Sequence, residues 1–168
     1  MAFIVIGFIL FIVAGLLLLR ASGKQHEAGL PSGRVVYTDT GAWKRIENPL
    51  YDALLHLTGK PDYVVEHNGR QIPVEVKSGY APAVPYEGHL YQLAAYCLLL
   101  EKTSAQRPPF GYLHYRNRTL AIDYTPQLED SLLDLLAEMR LQERQGEADR
   151  SHEDPARCGY RSICDQRL

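Results

Sequence analysis

The dipeptide Asn68-Gly69 constrains this chain more than any other feature, because it fixes how two neighbouring strands must pair. It lies between two apolar runs, DYVVEH at 62–67 and QIPVEVK at 71–77. Asn-Gly readily adopts the left-handed backbone of a two-residue hairpin turn. The sequence therefore predicts a hairpin with one register, in which Val65 faces Ile72.

That register brings three charged side chains together at the open end of the hairpin. Asp62 falls opposite Glu75, and side chains paired in this way lie about 5 Å apart. Lys77 shares a face with Glu75, because side chains alternate along a strand. Two carboxylates so close repel unless positive charge lies between them, and their hard oxygen ligands suit Mg²⁺ or Mn²⁺. The alternative is a solvent-exposed hairpin face on which charges simply alternate.

A helix predicted over 89–103 carries a polar stripe. His89, Gln92 and Tyr96 are spaced so that they lie on one helix face, while the other positions are mainly Leu, Ala and Cys97. One interpretation is that the stripe is the solvated face of the helix. The other is that it lines the same cleft as the hairpin acids.

The remaining elements predict a mixed α/β domain. Their patterns indicate strands at 33–39, 110–117 and 118–125, and helices at 49–59 and 126–145. Together with the hairpin and the helix at 89–103, the order is β, α, β, β, α, β, β, α. This order predicts a mixed β-sheet flanked by helices.

The first 19 residues, MAFIVIGFILFIVAGLLLL, contain no charge and are long enough to cross the hydrocarbon core of a membrane, which is roughly 30 Å thick. Basic residues follow the segment, so the positive-inside rule places the rest of the chain in the cytoplasm. The predicted organisation is a transmembrane anchor at 1–20, a tether at 21–32, a globular domain at 33–150 and a cysteine-containing tail at 151–168.

Composition limits the possible functions. The net charge of −2 excludes nucleic-acid binding through a uniformly basic surface, so any such contact must be local. Three cysteines do not form a disulfide framework, which agrees with a reducing compartment.

Three short motifs in order, GKPD, EVK and QLAAY, resemble the RecB-like nucleases of the PD-(D/E)XK superfamily. The resemblance is strongest to the CRISPR-associated RecB-like exonuclease group and its membrane-tethered relatives. It implies a restriction-endonuclease-like sheet and metal-dependent hydrolysis of phosphodiester bonds in DNA, at single strands or ends. A helicase or recombination partner follows only by analogy.

The resemblance also assigns roles to individual residues. Asp62 and Glu75 are expected to hold Mg²⁺ or Mn²⁺, with help from the backbone carbonyl of Val76. Lys77 matches the catalytic lysine of the family. Gln92 and Tyr96 match its QxxxY motif, which contacts DNA or supports the site.

Two parts of the family pattern are incomplete in this chain. Cys158 and Cys164 match the last two cysteines of an iron–sulfur motif, but the other two are missing, so we expect no intact cluster. Many relatives also place an acid or histidine before the hairpin. The candidates for this early ligand are Glu47, which we favour, and four others: Asp52, His56, His26 and Glu27.

Two hypotheses about function follow. The first is a membrane-anchored, metal-dependent DNA exonuclease with its catalytic domain in the cytoplasm. The second is a degenerate nuclease fold that serves as a membrane-tethered DNA-binding or interaction module. Retention of two facing acids favours the enzyme, because without a metal their repulsion only costs stability. A redox sensor built on Cys158 and Cys164 rests on that cysteine pair alone.

Overall fold

The computed structural model describes residues 33–36 and 43–146 of the chain. Within these residues the strands are β1 (Arg34–Val36), β2 (Lys44–Arg45), β3 (Leu50–Asp52), β4 (Leu57–Gly59), β5 (Tyr63–His67), β6 (Arg70–Lys77), β7 (Phe110–Tyr115) and β8 (Thr119–Asp123). The helices are α1 (Glu87–Ser104) and α2 (Pro126–Gln145).

Six of the strands form one mixed sheet in the order β1-β8-β7-β6-β5-β2. The pair β6–β7 is parallel, and the other neighbours are antiparallel. A parallel pair needs a crossover connection, which α1 supplies. The predicted mixed sheet is therefore confirmed. Strands β3 and β4 form a separate two-stranded sheet.

The hairpin β5–β6 has the predicted register. Val65 pairs with Ile72 and Tyr63 with Val74. Asn68 and Gly69 have φ angles of 51° and 75°, the left-handed values that a type I′ turn requires. The turn chemistry thus sets which residues meet at the far end of the hairpin.

The two faces of the sheet are packed differently. On one face, α1 lies against β6 and β7, and Leu93 comes so close to Gly111 that a Cβ there would lie 2.8 Å from Leu93 Cγ. On the other face, three buried aliphatic side chains pack with partly buried aromatic rings: Val65, Ile72, Val74, Trp43, Tyr63, Phe110 and Tyr112. The face under α1 is the one that carries Glu75, as β6 alternates.

The predicted helix at 49–59 is wrong, because this segment is the β3–β4 hairpin. Its leucines are spaced as in an amphipathic helix, but the Asp52 side chain binds a backbone N–H of the same segment. The Asp52 carboxylate accepts a 2.7 Å hydrogen bond from the Leu55 N–H, and His56 takes a left-handed φ of 41°. Such a side-chain turn reverses the chain where a helix would continue.

The other predicted elements agree with the structure within a few residues, and α2 has the predicted bounds. The sheet and α1 belong to a compact unit that ends at Leu133, inside α2, and a second unit begins at Asp134. No helix in 33–36 or 43–146 is long and apolar enough to cross a membrane. The predicted anchor at 1–20, the tether and the cysteine-containing tail lie outside the described residues.

Candidate active site

The site begins at the open end of the β5–β6 hairpin, where Asp62 and Glu75 meet. Asp62 directly precedes β5, and its Oδ2 accepts a 2.8 Å hydrogen bond from the backbone N–H of Val76. Glu75 is 7% exposed and lies under α1, whereas Asp62 is exposed. The register set by the turn and this hydrogen bond therefore hold one solvated and one buried carboxylate together at the open end of the hairpin.

The pKa of Glu75 depends on its burial and on its two charged neighbours, Lys77 and Asp62. Burial raises the pKa of Glu75, the hydrogen bond and charge of Lys77 oppose that effect, and the nearby carboxylate of Asp62 raises the pKa further. Burial and, to a smaller extent, the neighbouring carboxylate thus disfavour the ionised form of Glu75, and an additional cation beside it would stabilise that form.

Lys77 links the strand to the helix. Its Nζ donates to Glu75 Oε1 at 2.9 Å and to Gln92 Oε1 at 2.7 Å. Gln92 Nε2 in turn donates to the Tyr96 hydroxyl at 2.8 Å. We call Asp62, Glu75, Lys77, Gln92 and Tyr96 the acid–lysine cluster.

The polar stripe on α1 is not simply a solvated face. Tyr96 is 8% exposed, and Gln92 is only partly exposed. Burial raises the pKa of Tyr96, and the charges of Glu75 and Asp62 add to the effect. The hydroxyl therefore stays protonated at neutral pH, and because it accepts from Gln92 it fixes which end of that amide faces Lys77.

Two residues next to the cluster form a second polar pair. Tyr115 pairs with Lys77 across the parallel strands β6 and β7, and its hydroxyl lies 2.8 Å from His89 Nδ1. Burial lowers the pKa of His89, and the positive charge of Lys77 lowers it further. Sequence reasoning identified His89 but missed Tyr115, although alternation in FGYLHY places Tyr115 on the same face as Leu113.

The donor chemistry of the cluster fits a hard divalent cation. Two facing carboxylates, one of them solvated, offer oxygen ligands and more negative charge than Lys77 alone balances. Mg²⁺ commonly uses one or two carboxylates and completes its shell with water and substrate phosphate. Asp62 and Glu75 therefore suffice as protein side-chain ligands for such an ion.

A third side-chain ligand is not brought to this place. The residues described contain no group of three or more His, Cys, Asp and Glu that could hold a metal ion. Glu47 is exposed, and its backbone carbonyl accepts a hydrogen bond from Lys60, while Asp52 is used in its own turn. His56 is exposed in the β3–β4 turn. His26 and Glu27 lie outside the described residues, as do Cys158 and Cys164 of the iron–sulfur motif.

The sheet is mixed, and its interior strand β6 carries Glu75 and Lys77 facing Gln92 and Tyr96 on the crossover helix. This arrangement fits a restriction-endonuclease-like α/β domain. The family comparison is specific. The family model of the PD-(D/E)XK nuclease superfamily matches residues 22–165, and the chain belongs to that superfamily. Members of this superfamily are usually metal-dependent nucleases.

A solved structure described as "Crystal structure of SSO0001" is similar over 94% of this chain and 71% of that chain. The two are 17% identical, with a TM-score of 0.45.

Proposed function

We propose that this protein is a metal-dependent deoxyribonuclease that acts as an exonuclease on single strands or ends. The observation that carries the proposal is the position of Lys77. Its ammonium group lies between a buried carboxylate and an amide that is itself fixed by Tyr96. An isolated surface lysine would not be held by two partners on two different elements.

The residues divide the work as follows. Asp62 and Glu75, with the carbonyl of Val76, would hold Mg²⁺ or Mn²⁺. The ion supplies charge neutralisation at the phosphate and a more acidic water when it is bound. Lys77 presents a positive charge where negative charge develops on the phosphate or orients the attacking water. Gln92 and Tyr96 keep Lys77 in that position.

The proposal includes location. The uncharged segment at 1–19 anchors the protein in a membrane by a single pass, and the catalytic domain faces the cytoplasm. Membrane fractionation of cells that carry the full chain or a chain lacking 1–19 tests this. Equal recovery of both forms in the soluble fraction would contradict the proposal that 1–19 anchors the protein in a membrane.

The activity is tested with the full-length protein and end-labelled single-stranded and duplex DNA. We expect cleavage with Mg²⁺ or Mn²⁺, none with a chelator, and loss of cleavage in Asp62→Ala. The matched control is Asp123→Ala, because Asp123 is also exposed but pairs with Phe110 at the opposite end of β7. The size of the released products distinguishes an exonuclease from an endonuclease.

One observation favours a second function, that of a module without catalytic activity. Because the described part of the chain holds no third metal-binding side chain near Asp62 and Glu75, the fold could serve as a DNA-binding or interaction module without catalysis. DNA binding that is independent of metal, with no cleavage at any Mn²⁺ concentration, would favour this module over the enzyme.

A further inference from the structure

The loop at 78–86 runs along the edge of the acid–lysine cluster. It starts directly after Lys77 and ends at Tyr86, the residue before α1. Tyr80 follows Lys77 by three residues, so their Cα atoms are at most about 11 Å apart. Tyr86 lies three residues before His89, whose Nδ1 is 2.8 Å from the hydroxyl of Tyr115, the residue paired with Lys77. Both ends of the loop are therefore next to the cluster.

The loop is held in place by the turn between β7 and β8. The backbone N–H of Arg116 donates to Gly79 O at 3.1 Å, and the Ala81 N–H donates to Asn117 Oδ1 at 2.8 Å. The guanidinium of Arg118 donates to the carbonyl of Pro82. These three attachments fix the loop backbone on both sides of Tyr80 before any ligand arrives, which lowers the entropic cost of binding.

Two tyrosine rings on this attached loop remain exposed. Tyr80 is 69% exposed and Tyr86 is 53% exposed. The Arg116 guanidinium lies 5.3 Å from the centre of the Tyr80 ring, and the Tyr86 ring meets His89 at a right angle with centroids 5.2 Å apart. Rings this exposed contribute little to the buried core, and the Arg116 guanidinium lies beside one of them.

Exposed rings combined with a cation match the chemistry of unpaired nucleic-acid bases. A base stacks on an aromatic ring whatever its identity, and an arginine adds a contact to the base or the phosphate. In a duplex the base faces are covered by their neighbours, so the same rings offer little to it. The net charge of −2 also argues against binding through general electrostatic attraction.

We propose that Tyr80, Tyr86 and Arg116 form a stacking site for unpaired bases of single-stranded DNA beside the cleaved phosphate. The proposal rests on the proposed nuclease function for the nature of the substrate. It goes further by naming the residues that select single strands, and none of them belongs to the acid–lysine cluster.

The test measures DNA binding separately from cleavage. In a chelator, fluorescence anisotropy gives the affinity of the full-length protein for a short single-stranded oligonucleotide and for its duplex. We expect Tyr80→Ala, Tyr86→Ala and Arg116→Ala each to weaken single-strand binding by about five-fold or more, and to change duplex binding little. Tyr80→Phe should retain affinity, because it keeps the ring. Tyr51→Ala is the control, since Tyr51 is 58% exposed on the separate β3–β4 sheet.

Single-strand affinity equal to wild type in the three Ala variants would overturn the stacking site, as would equal losses on single-stranded and duplex DNA. The same variants assayed for cleavage with Mg²⁺ or Mn²⁺ separate the two proposals. If the wild type binds single strands through Tyr80 but cleaves nothing, the stacking site stands and the nuclease activity fails. If it cleaves while all three Ala variants bind normally, only the stacking site fails.

Discussion

Helix α1 has a charged cluster near each end, and both clusters contain two carboxylates and one cation. Near its first half lies the acid–lysine cluster. Beyond its last turn, Arg107 Nη1 bonds to Glu101 at 2.8 Å and to Glu129, while its guanidinium lies 4.1 Å from the centre of the Tyr124 ring. We call Glu101, Arg107, Tyr124 and Glu129 the arginine cluster.

The two clusters distribute the same charges differently. Both carboxylates of the arginine cluster bind the cation directly, and the bonds and charge of Glu129 outweigh burial and raise the pKa of Arg107. In the acid–lysine cluster only Glu75 binds the cation, because Asp62 is held by a backbone N–H instead. In the arginine cluster both carboxylates are paired with the cation, and these ion pairs connect α1, the loop that follows it and α2. The acid–lysine cluster leaves negative charge available for a further cation.

The largest expected effect distinguishes the clusters by activity. Lys77→Ala should lower the rate of DNA cleavage by about 100-fold or more, because it removes a fixed positive charge at the reacting phosphate. Its melting temperature in chelator should fall less than that of Arg107→Ala, since Glu75 can take up a proton. Initial rates with excess enzyme measure the effect, and a rate within ten-fold of wild type would show that the ammonium group is dispensable.

The next effect concerns stability. Arg107→Ala leaves two carboxylates without their cation, so the free energy of unfolding should fall by roughly 1–3 kcal/mol. Cleavage per folded molecule should remain at the wild-type level. Urea unfolding supplies the stability, and Arg70→Ala, at an exposed arginine of β6, is the control. Equal stability of the two variants would mean that the arginine cluster is only a surface feature.

The pH dependence of stability should reveal the charge imbalance around Glu75. Its pKa in the folded protein is raised from a reference value of 4.5. Above pH 4.5 the unfolded chain has released a proton that the folded protein still holds, so this group destabilises the folded state progressively as pH rises through the folded pKa. Glu75→Gln lacks this penalty.

In chelator, Glu75→Gln should therefore gain stability relative to wild type as pH rises from 4.5 towards neutrality. Unfolding midpoints at a series of pH values give the difference, and common contributions from other groups cancel. A difference that stays constant or shrinks with pH contradicts a raised pKa of Glu75 in the folded protein.

The smallest effects come from two tyrosine hydroxyls. The Tyr96 hydroxyl accepts from Gln92, whereas the buried Tyr124 hydroxyl finds no hydrogen-bond partner in the described part of the chain. Tyr96→Phe should cost about 0.5–1.5 kcal/mol and slow cleavage several-fold, because Gln92 loses its anchor. Tyr124→Phe should leave stability unchanged or slightly higher. Thermal unfolding compares them, and equal losses would mean that the two hydroxyls have similar surroundings.

The acid–lysine cluster was largely predictable because its determinants are local. Asn68-Gly69 fixes the register that brings Asp62 to Glu75, and helical spacing places Gln92 and Tyr96 on one stripe. Tyr115 was missed because its position depends on parallel pairing between β6 and β7, which are separated by a whole helix.

The arginine cluster and the β3–β4 hairpin escaped prediction for different reasons. Glu101, Arg107 and Glu129 lie on α1, on the following loop and on α2, so no local spacing connects them. At 49–59 the leucine spacing favours a helix, whereas the structure has paired strands with a turn in which Asp52 accepts a hydrogen bond from the Leu55 N–H. Where the local preferences for helix and strand are similar, tertiary contacts determine which of the two forms.

All side chains of the acid–lysine cluster, together with His89 and Tyr115, come from one uninterrupted stretch of chain, residues 62–115. The crossover from β6 through α1 to β7 carries most of these side chains, and the outermost strands β1 and β2 contribute none of them. Outside this stretch, Gly59 of β4 packs closely against the Tyr96 ring. Substitutions in β1 and β2 therefore alter the outermost strands of the sheet before they alter the acid–lysine cluster. The side chains of the acid–lysine cluster and the rim of the sheet thus belong to separate parts of the chain.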